Sequence, residues 1–221
     1  MEKKEILSHI DHTLLKATAD WESIRKLCDE ALEYGTASVC VPPCYVKRIQ
    51  ETYGDRINIC TVIGFPLGYN TCEVKVAEAK QALSEGASEI DMVINLTDVK
   101  NGDYDKVERE IAALKKAAGE KILKVIIETC YLTEDEKIAM CKAVTNAGAD
   151  FIKTSTGFGT AGAKIEDIEL FKKHIGPNVK IKAAGGVKTA EDLEMFLHAG
   201  CQRIGTSSAV KLLTGGEAEK Y

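Results

Sequence analysis

Four prolines and 18 glycines among 221 residues are too few for a low-complexity chain, and no apolar run approaches the roughly 20 residues that a membrane-spanning helix requires. Disorder and membrane insertion are excluded on those grounds. The opening stretch, MEKKEILSHIDH, carries charges where a secretory signal has its apolar segment, which predicts a cytoplasmic protein. Positive charge is also scarce: the net charge is −5 and lysines alternate with glutamates, so there is no footprint for nucleic acid. Metal-ligand spacing is missing too. Of the 8 cysteines, Cys28, Cys40, Cys60, Cys130 and Cys141 lie inside apolar runs, and Cys40 with Cys44 in CVPPC has no second pair to complete four zinc ligands. Free thiols are expected, with no disulfide framework and no metal.

What is present is an ordinary globular balance, 45% hydrophobic and 29% charged, enough for one good core and hence one domain over 1–221. Four segments repeat one pattern, a helical run closed by glycine and followed by a strand: ALEYGTASVCV, ALSEGASEIDMVI, AVTNAGADFIK and FLHAGCQRIG. Their glycines, Gly35, Gly86, Gly148 and Gly200, suit the left-handed turn that ends a helix, and the spacing allows about two strand-helix units per interval. Filling in the alternate units predicts eight strands, around 11–15, 38–42, 58–65, 89–95, 124–129, 151–157, 180–186 and 203–207, with seven helical runs between them. Thr133 with Glu136 makes a capping box, Thr189 with Asp192 a weaker one, and Asn70 or Thr71 precedes a further helix. Strict alternation of Val- and Ile-rich strands with helices means a parallel sheet covered by helices, and eight units favour a single (β/α)8 TIM barrel with short loops.

In such a barrel the chemistry sits at the C-terminal ends of the strands. Alternation places Lys153 with Phe151 and Ser155 on one face of the sixth strand, and puts Lys182 at the same place on the seventh. Asp91 lies between Ile90 and Met92 on the fourth, and Asp11 and Thr13 share a face of the first. A strand lysine that snorkels its ammonium to water is the ordinary case, and Lys124 and Lys180 are read that way. For Lys153, Lys182 and Asp91 together that reading requires three coincidences, so a functional cluster is favoured. Imine formation with a carbonyl substrate suits it: like-charge repulsion from Lys182 frees the Lys153 amine for attack, and Asp91 moves the protons as general acid and base.

Gly185-Gly186 after the seventh strand, Ser207-Ser208 after the eighth and Thr156-Gly157 after the sixth would present backbone N–H groups and hydroxyls to a phosphate. The four histidines do not make a zinc site: His174 and His198 fall in helical runs, and His9 and His12 face opposite sides of a strand. His12 reads as a packing or hydrogen-bonding residue, and Trp21 as part of the core that covers the barrel.

Through DHTLL, EIDMVIN, FIKTSTGFG, KAAGGVKT and GTSSAV, in that order and spacing, the chain resembles the deoxyribose-phosphate aldolase family over essentially its whole length. The resemblance implies reversible cleavage of 2-deoxy-D-ribose 5-phosphate to D-glyceraldehyde 3-phosphate and acetaldehyde, without metal or other cofactor, in deoxynucleoside catabolism. It implies Lys153 as the Schiff-base lysine, Lys182 as the cation beside it and Asp91 as the proton-relay acid. Asp11 and Thr13 would contact substrate, and Gly185, Gly186, Ser207 and Ser208 would hold the phosphate. A homodimer is expected at family level. Some members carry a lysine where this chain has Phe158, so one phosphate contact is expected to be missing. Tyr221 resembles a terminal tyrosine that reaches the site in some members, with a frayed tail as the alternative. Two other readings stand beside this one: a transaldolase or keto-acid aldolase, and a sugar-phosphate-binding barrel without catalysis.

Overall fold

The structure is a computed structural model and describes residues 1–216; Tyr221 lies outside the described residues. Eight parallel strands close into a barrel in sequence order: β1 (Ile10–Thr13), β2 (Ser38–Val41), β3 (Ile59–Ile63), β4 (Glu89–Val93), β5 (Ile122–Ile126), β6 (Phe151–Lys153), β7 (Lys180–Ala184) and β8 (Arg203–Thr206). The helices are α1 (Lys3–Leu7), α2 (Trp21–Tyr34), α3 (Val46–Tyr53), α4 (Cys72–Ser84), α5 (Leu96–Lys100), α6 (Tyr104–Ala118), α7 (Glu134–Asn146), α8 (Ile165–His174), α9 (Ala190–Ala199) and α10 (Ala209–Leu213). No helix among the described residues is long and apolar enough to cross a membrane.

Local chemistry explains the boundaries. Both capping boxes are complete, Thr133 with Glu136 on α7 and Thr189 with Asp192 on α9, so the second is not the weaker form expected. Thr71 occupies the N-cap of α4 by position and makes no side-chain cap bond there. Gly35 and Gly200 end α2 and α9 at φ 68° and 110°, a conformation closed to most side chains. Each long helix turns one stripe inward, as α6 does with Val107, Ile111, Leu114 and Ala118. Those stripes and the outward strand residues form the main apolar core. Trp21 is packed against that core, half-buried beside Tyr45, with the Arg48 guanidinium 4.0 Å above its ring.

Three departures from the sequence expectations matter for the site. A short helix, α1, precedes the first strand, and α5 adds a turn before α6. β5 starts two positions earlier than expected, at Ile122. The sixth strand stops at Lys153 instead of running to 157: Thr154 keeps backbone bonds to Lys182 and Thr129, and the residues after it turn into the barrel rim. Thr154 Oγ1 also donates to the Ala184 carbonyl at 3.2 Å, and Thr154, Ser155 and Thr156 stay buried.

Candidate active site

Strand register assembles the centre. Lys153 pairs with Lys182, Asp91 with Lys124 and Lys182 with Arg203, so their side chains enter the barrel at nearby levels. Lys153 Nζ and Lys182 Nζ both donate to Asp91 Oδ2, each at 2.7 Å. Lys182 also donates to Asp11 Oδ2, and Ser38 Oγ donates to Asp11 Oδ1 at 2.8 Å. Arg203 completes the group by donating to Asp11 Oδ1 and, at 2.7 Å, to Glu89 Oε1.

Lys124 overturns its expected role. Sequence alone points to an ammonium that snorkels to water, yet the Lys124 side chain is fully buried, 2.9 Å from Asp91 Oδ1 and 2.6 Å from Glu89 Oε2. The reason is register: its neighbour on β4 is Asp91, and a paired ammonium can stay inside where a lone one cannot. Lys180, read the same way, is indeed exposed. Glu89 and Arg203 were not singled out from sequence either. Their strands are buried on both faces, so no polar alternation marks which residues turn inward.

Electrostatics fixes most of these charges. Burial alone would raise the Asp91 carboxyl, but Lys124, Lys153 and Lys182 outweigh it and hold the group well below the usual carboxylate range. Asp11 is lowered against the same burial penalty by Lys124, Lys182 and Arg203. Burial acts to deprotonate Lys182, and Asp11 with Asp91 overcomes it, so Lys182 remains an ammonium. Carboxylates matched by ammonium and guanidinium groups leave no surplus negative charge for a divalent cation, although Cys40, Cys60 and Asp91 stand close enough together to ligate one. Cys40 and Cys60 join Leu15, Val62 and Phe65 in a small cluster, and the Cys60 thiol donates to Asp91 Oδ1 at 3.1 Å.

Above this centre opens a cavity of about 530 Å³, with Lys153 in its lining. Its wall takes in Thr13, Thr156, Gly157, Gly185, Gly186, Ser207 and Ser208, all expected from sequence, together with Phe158 and Lys188. Gly157, Gly185 and Gly186 all have positive φ, at 87°, 76° and 77°, which turns the loops after β6 and β7 sharply at the rim. Phe158 is 47% exposed and meets Phe65 edge to face at 5.4 Å. Lys188 stood in the KAAGGVKT motif without being given a role, and it brings a cation to the rim beside Gly186.

Asp11 does not reach the cavity. It has no exposed surface, so its expected contact with substrate becomes contact with Lys182, Arg203 and Ser38 beneath the floor. Asp91 and Lys182 are equally enclosed, which leaves Lys153 as the amine that meets the cavity. The histidines stand elsewhere: His12 Nε2 lies 2.8 Å from Glu30 on α2, His9 bonds the Gln202 carbonyl, and His174 and His198 belong to α8 and α9.

A family model described as DeoC/LacD family aldolase matches residues 6–214. A deoxyribose-phosphate aldolase of Clostridium botulinum (strain Alaska E43 / Type E3) is 71% identical over 221 residues, covering 100% of both chains. Among solved structures, a putative deoxyribose-phosphate aldolase from Coccidioides immitis superposes with TM-score 0.92 at 43% identity, covering 97% of this chain and 86% of that one. The deoxyribose phosphate aldolase from Aeropyrum pernix, described as a unique tetrameric structure, gives 0.88 at 33% identity, covering 96% and 91%.

Proposed function

Because the chain belongs to the DeoC/LacD family of aldolases, we propose a reaction in which Lys153 is the nucleophile and the rim after β6, β7 and β8 holds the phosphate. The activity is the reversible cleavage of 2-deoxy-D-ribose 5-phosphate to D-glyceraldehyde 3-phosphate and acetaldehyde, a lyase step in deoxyribose phosphate catabolism. The observation that carries the site assignment is the pair of amines on one Asp91 oxygen, directly below a cavity that only one of them enters.

The steps follow from these positions. Lys153 Nζ adds to C1 of the open-chain sugar, and loss of water from the carbinolamine gives a protonated imine. The C3 hydroxyl gives up its proton as the C2–C3 bond breaks, releasing glyceraldehyde 3-phosphate and leaving the electron pair in an enamine of the two-carbon unit. Protonation of that enamine and hydrolysis of the imine return acetaldehyde and the free amine. The imine nitrogen is the electron sink, so the bond cleavage asks nothing of a metal. Asp91, held ionised by the lysines around it, accepts from both Lys153 Nζ and Lys182 Nζ and so lines these two groups up to carry protons to and from the substrate.

Gly185, Gly186, Ser207, Ser208, Thr156 and Gly157 surround the phosphate in this reading, and Lys188 supplies the cation that Phe158 does not. Thr13 meets the sugar chain. The chain works as one domain over 1–221, in the cytoplasm where phosphorylated sugars are retained, and as a homodimer that light scattering would detect. Borohydride reduction in the presence of acetaldehyde tests the nucleophile: a two-carbon adduct at Lys153 is expected, and labelling of another lysine overturns the assignment. An absence of any adduct would favour a barrel that binds sugar phosphates without forming an imine.

A further inference from the structure

Glu128 is the one non-glycine residue with positive φ among the described residues, at φ 51° and ψ 66°. Glutamate rarely adopts that conformation, and such strain persists where the surroundings enforce it. Here they do. Ile127 N donates to the Lys153 carbonyl at 3.1 Å and Thr129 N to the Thr154 carbonyl at 2.9 Å, so the backbone on both sides of Glu128 is bonded to the end of β6. The turn between these two bonds aims the Glu128 side chain at the loop that continues from β6.

Glu128 is 2% exposed, and its carboxylate accepts chiefly from one residue, with the Cys130 thiol as a longer further donor. Thr156 N donates to Oε1 at 3.1 Å and to Oε2 at 3.3 Å, and the Thr156 hydroxyl donates to Oε2. Thr156 Oγ1 in turn accepts from Phe158 N at 3.0 Å, which carries the restraint across Gly157. Two donors converging on one side chain call for a group with acceptors only, which a carboxylate is and an amide is not. Packing leaves the group little room: a Cβ on Gly159 would stand 3.1 Å from Glu128 Cδ, and the Cys130 thiol is 4.0 Å from Oε1. Burial pushes the carboxyl up, while its bonds to Thr156 and the charge of Lys153 favour the ionised form.

We infer that Glu128 is a positioning residue for the phosphate end of the substrate: it clamps Thr156 and thereby sets the Thr156-Gly157-Phe158 segment of the cavity rim. It touches no substrate itself. The inference rests on the proposed placement of the phosphate at that rim, so its test carries a control for that placement.

The measurement is steady-state kinetics of Glu128→Gln on 2-deoxy-D-ribose 5-phosphate and on unphosphorylated 2-deoxy-D-ribose, with Ser207→Asp assayed in parallel. Glutamine keeps the shape but turns an amide N–H₂ towards one of the Thr156 donors. KM for the phosphorylated sugar should rise about tenfold while kcat stays within about twofold, and kcat/KM for the unphosphorylated sugar should change by less than about twofold. Circular dichroism and urea unfolding of Glu128→Gln, expected to match wild type, guard against a folding defect. Equal losses on both sugars would make Glu128 a general structural residue and overturn the inference. If Ser207→Asp raises KM for the phosphorylated sugar while Glu128→Gln does not, the clamp falls and the phosphate site stands. If neither variant moves that KM, the rim is not where the phosphate binds, and both fall.

Discussion

Lys153 and Lys182 lean on the same oxygen of Asp91, and of the two only Lys182 also donates to a second carboxylate, Asp11. Lys182 therefore stays charged, and its field bears on the amine next to it. Replacing it with leucine removes that cation from beside the Lys153 amine. The rate profile of Lys182→Leu should shift towards alkaline pH, measured as kcat/KM across pH 6 to 10; an unshifted profile with lower activity would assign Lys182 to substrate binding instead. Lys153, Lys182 and Asp91 were legible because three ionisable residues at inward strand positions have no bland explanation in common. Lys124 was not. Its strand reads ILKVI, apolar around one lysine, and the Asp91 that keeps it inside lies on the neighbouring strand, out of sight of any local pattern.

At the level of elements, glycine punctuation and alternating hydrophobic runs located every strand, because a parallel barrel repeats one local rule eight times. Strand ends were less legible. FIKTSTG continues a plausible strand on paper, but the strand ends at Lys153, and by Ala163 the backbone bonds the carbonyls of Ala184 and Gly185 after β7. Gly162 shows why sequence could not disclose this. A Cβ there would stand 2.3 Å from the backbone C and O of Gly185, a contact between two rim loops that no local motif records. Backbone cannot swing aside as a flexible side chain can, so Gly162→Ala must displace the Gly185-Gly186 turn. We expect a loss of about 1–3 kcal/mol in stability, read from urea unfolding, with a higher KM for the phosphorylated sugar. A variant with wild-type unfolding and kinetics would mean that the two loops separate freely.

Taken over the whole molecule, closure leaves the sheet no free edge and divides its burial into two kinds. Apolar stripes of the helices pack on the outside of the strands, while inside, charges from β1, β4, β5, β6, β7 and β8 meet around Asp11 and Asp91. Eight units announced the closure, but the network exists only after strands distant in sequence come together, as with Asp11 and Arg203 across the β1–β8 seam. Such a network ties stability to pH in a defined direction. Asp11 is lowered in the folded chain, so its contribution is complete above the ordinary aspartate value of about 3.9 and is lost as pH falls towards the depressed folded value. Lys182 is raised, so its contribution is complete below about 10.4 and is lost only as pH rises beyond that. Between those limits the contribution should be flat. Asp11→Asn leaves Lys182 and Arg203 short of a carboxylate and should cost about 3–5 kcal/mol near pH 7. The difference from wild type should hold down to about pH 4 and then shrink by up to about 1.4 kcal/mol per pH unit, because below that point only the wild-type chain must release a proton at Asp11 to fold. Urea unfolding of both proteins at pH 3, 4, 5 and 7 measures it. The same difference at pH 3 as at pH 7 would show that Asp11 takes up no proton on unfolding, and that the buried ion network does not hold it ionised.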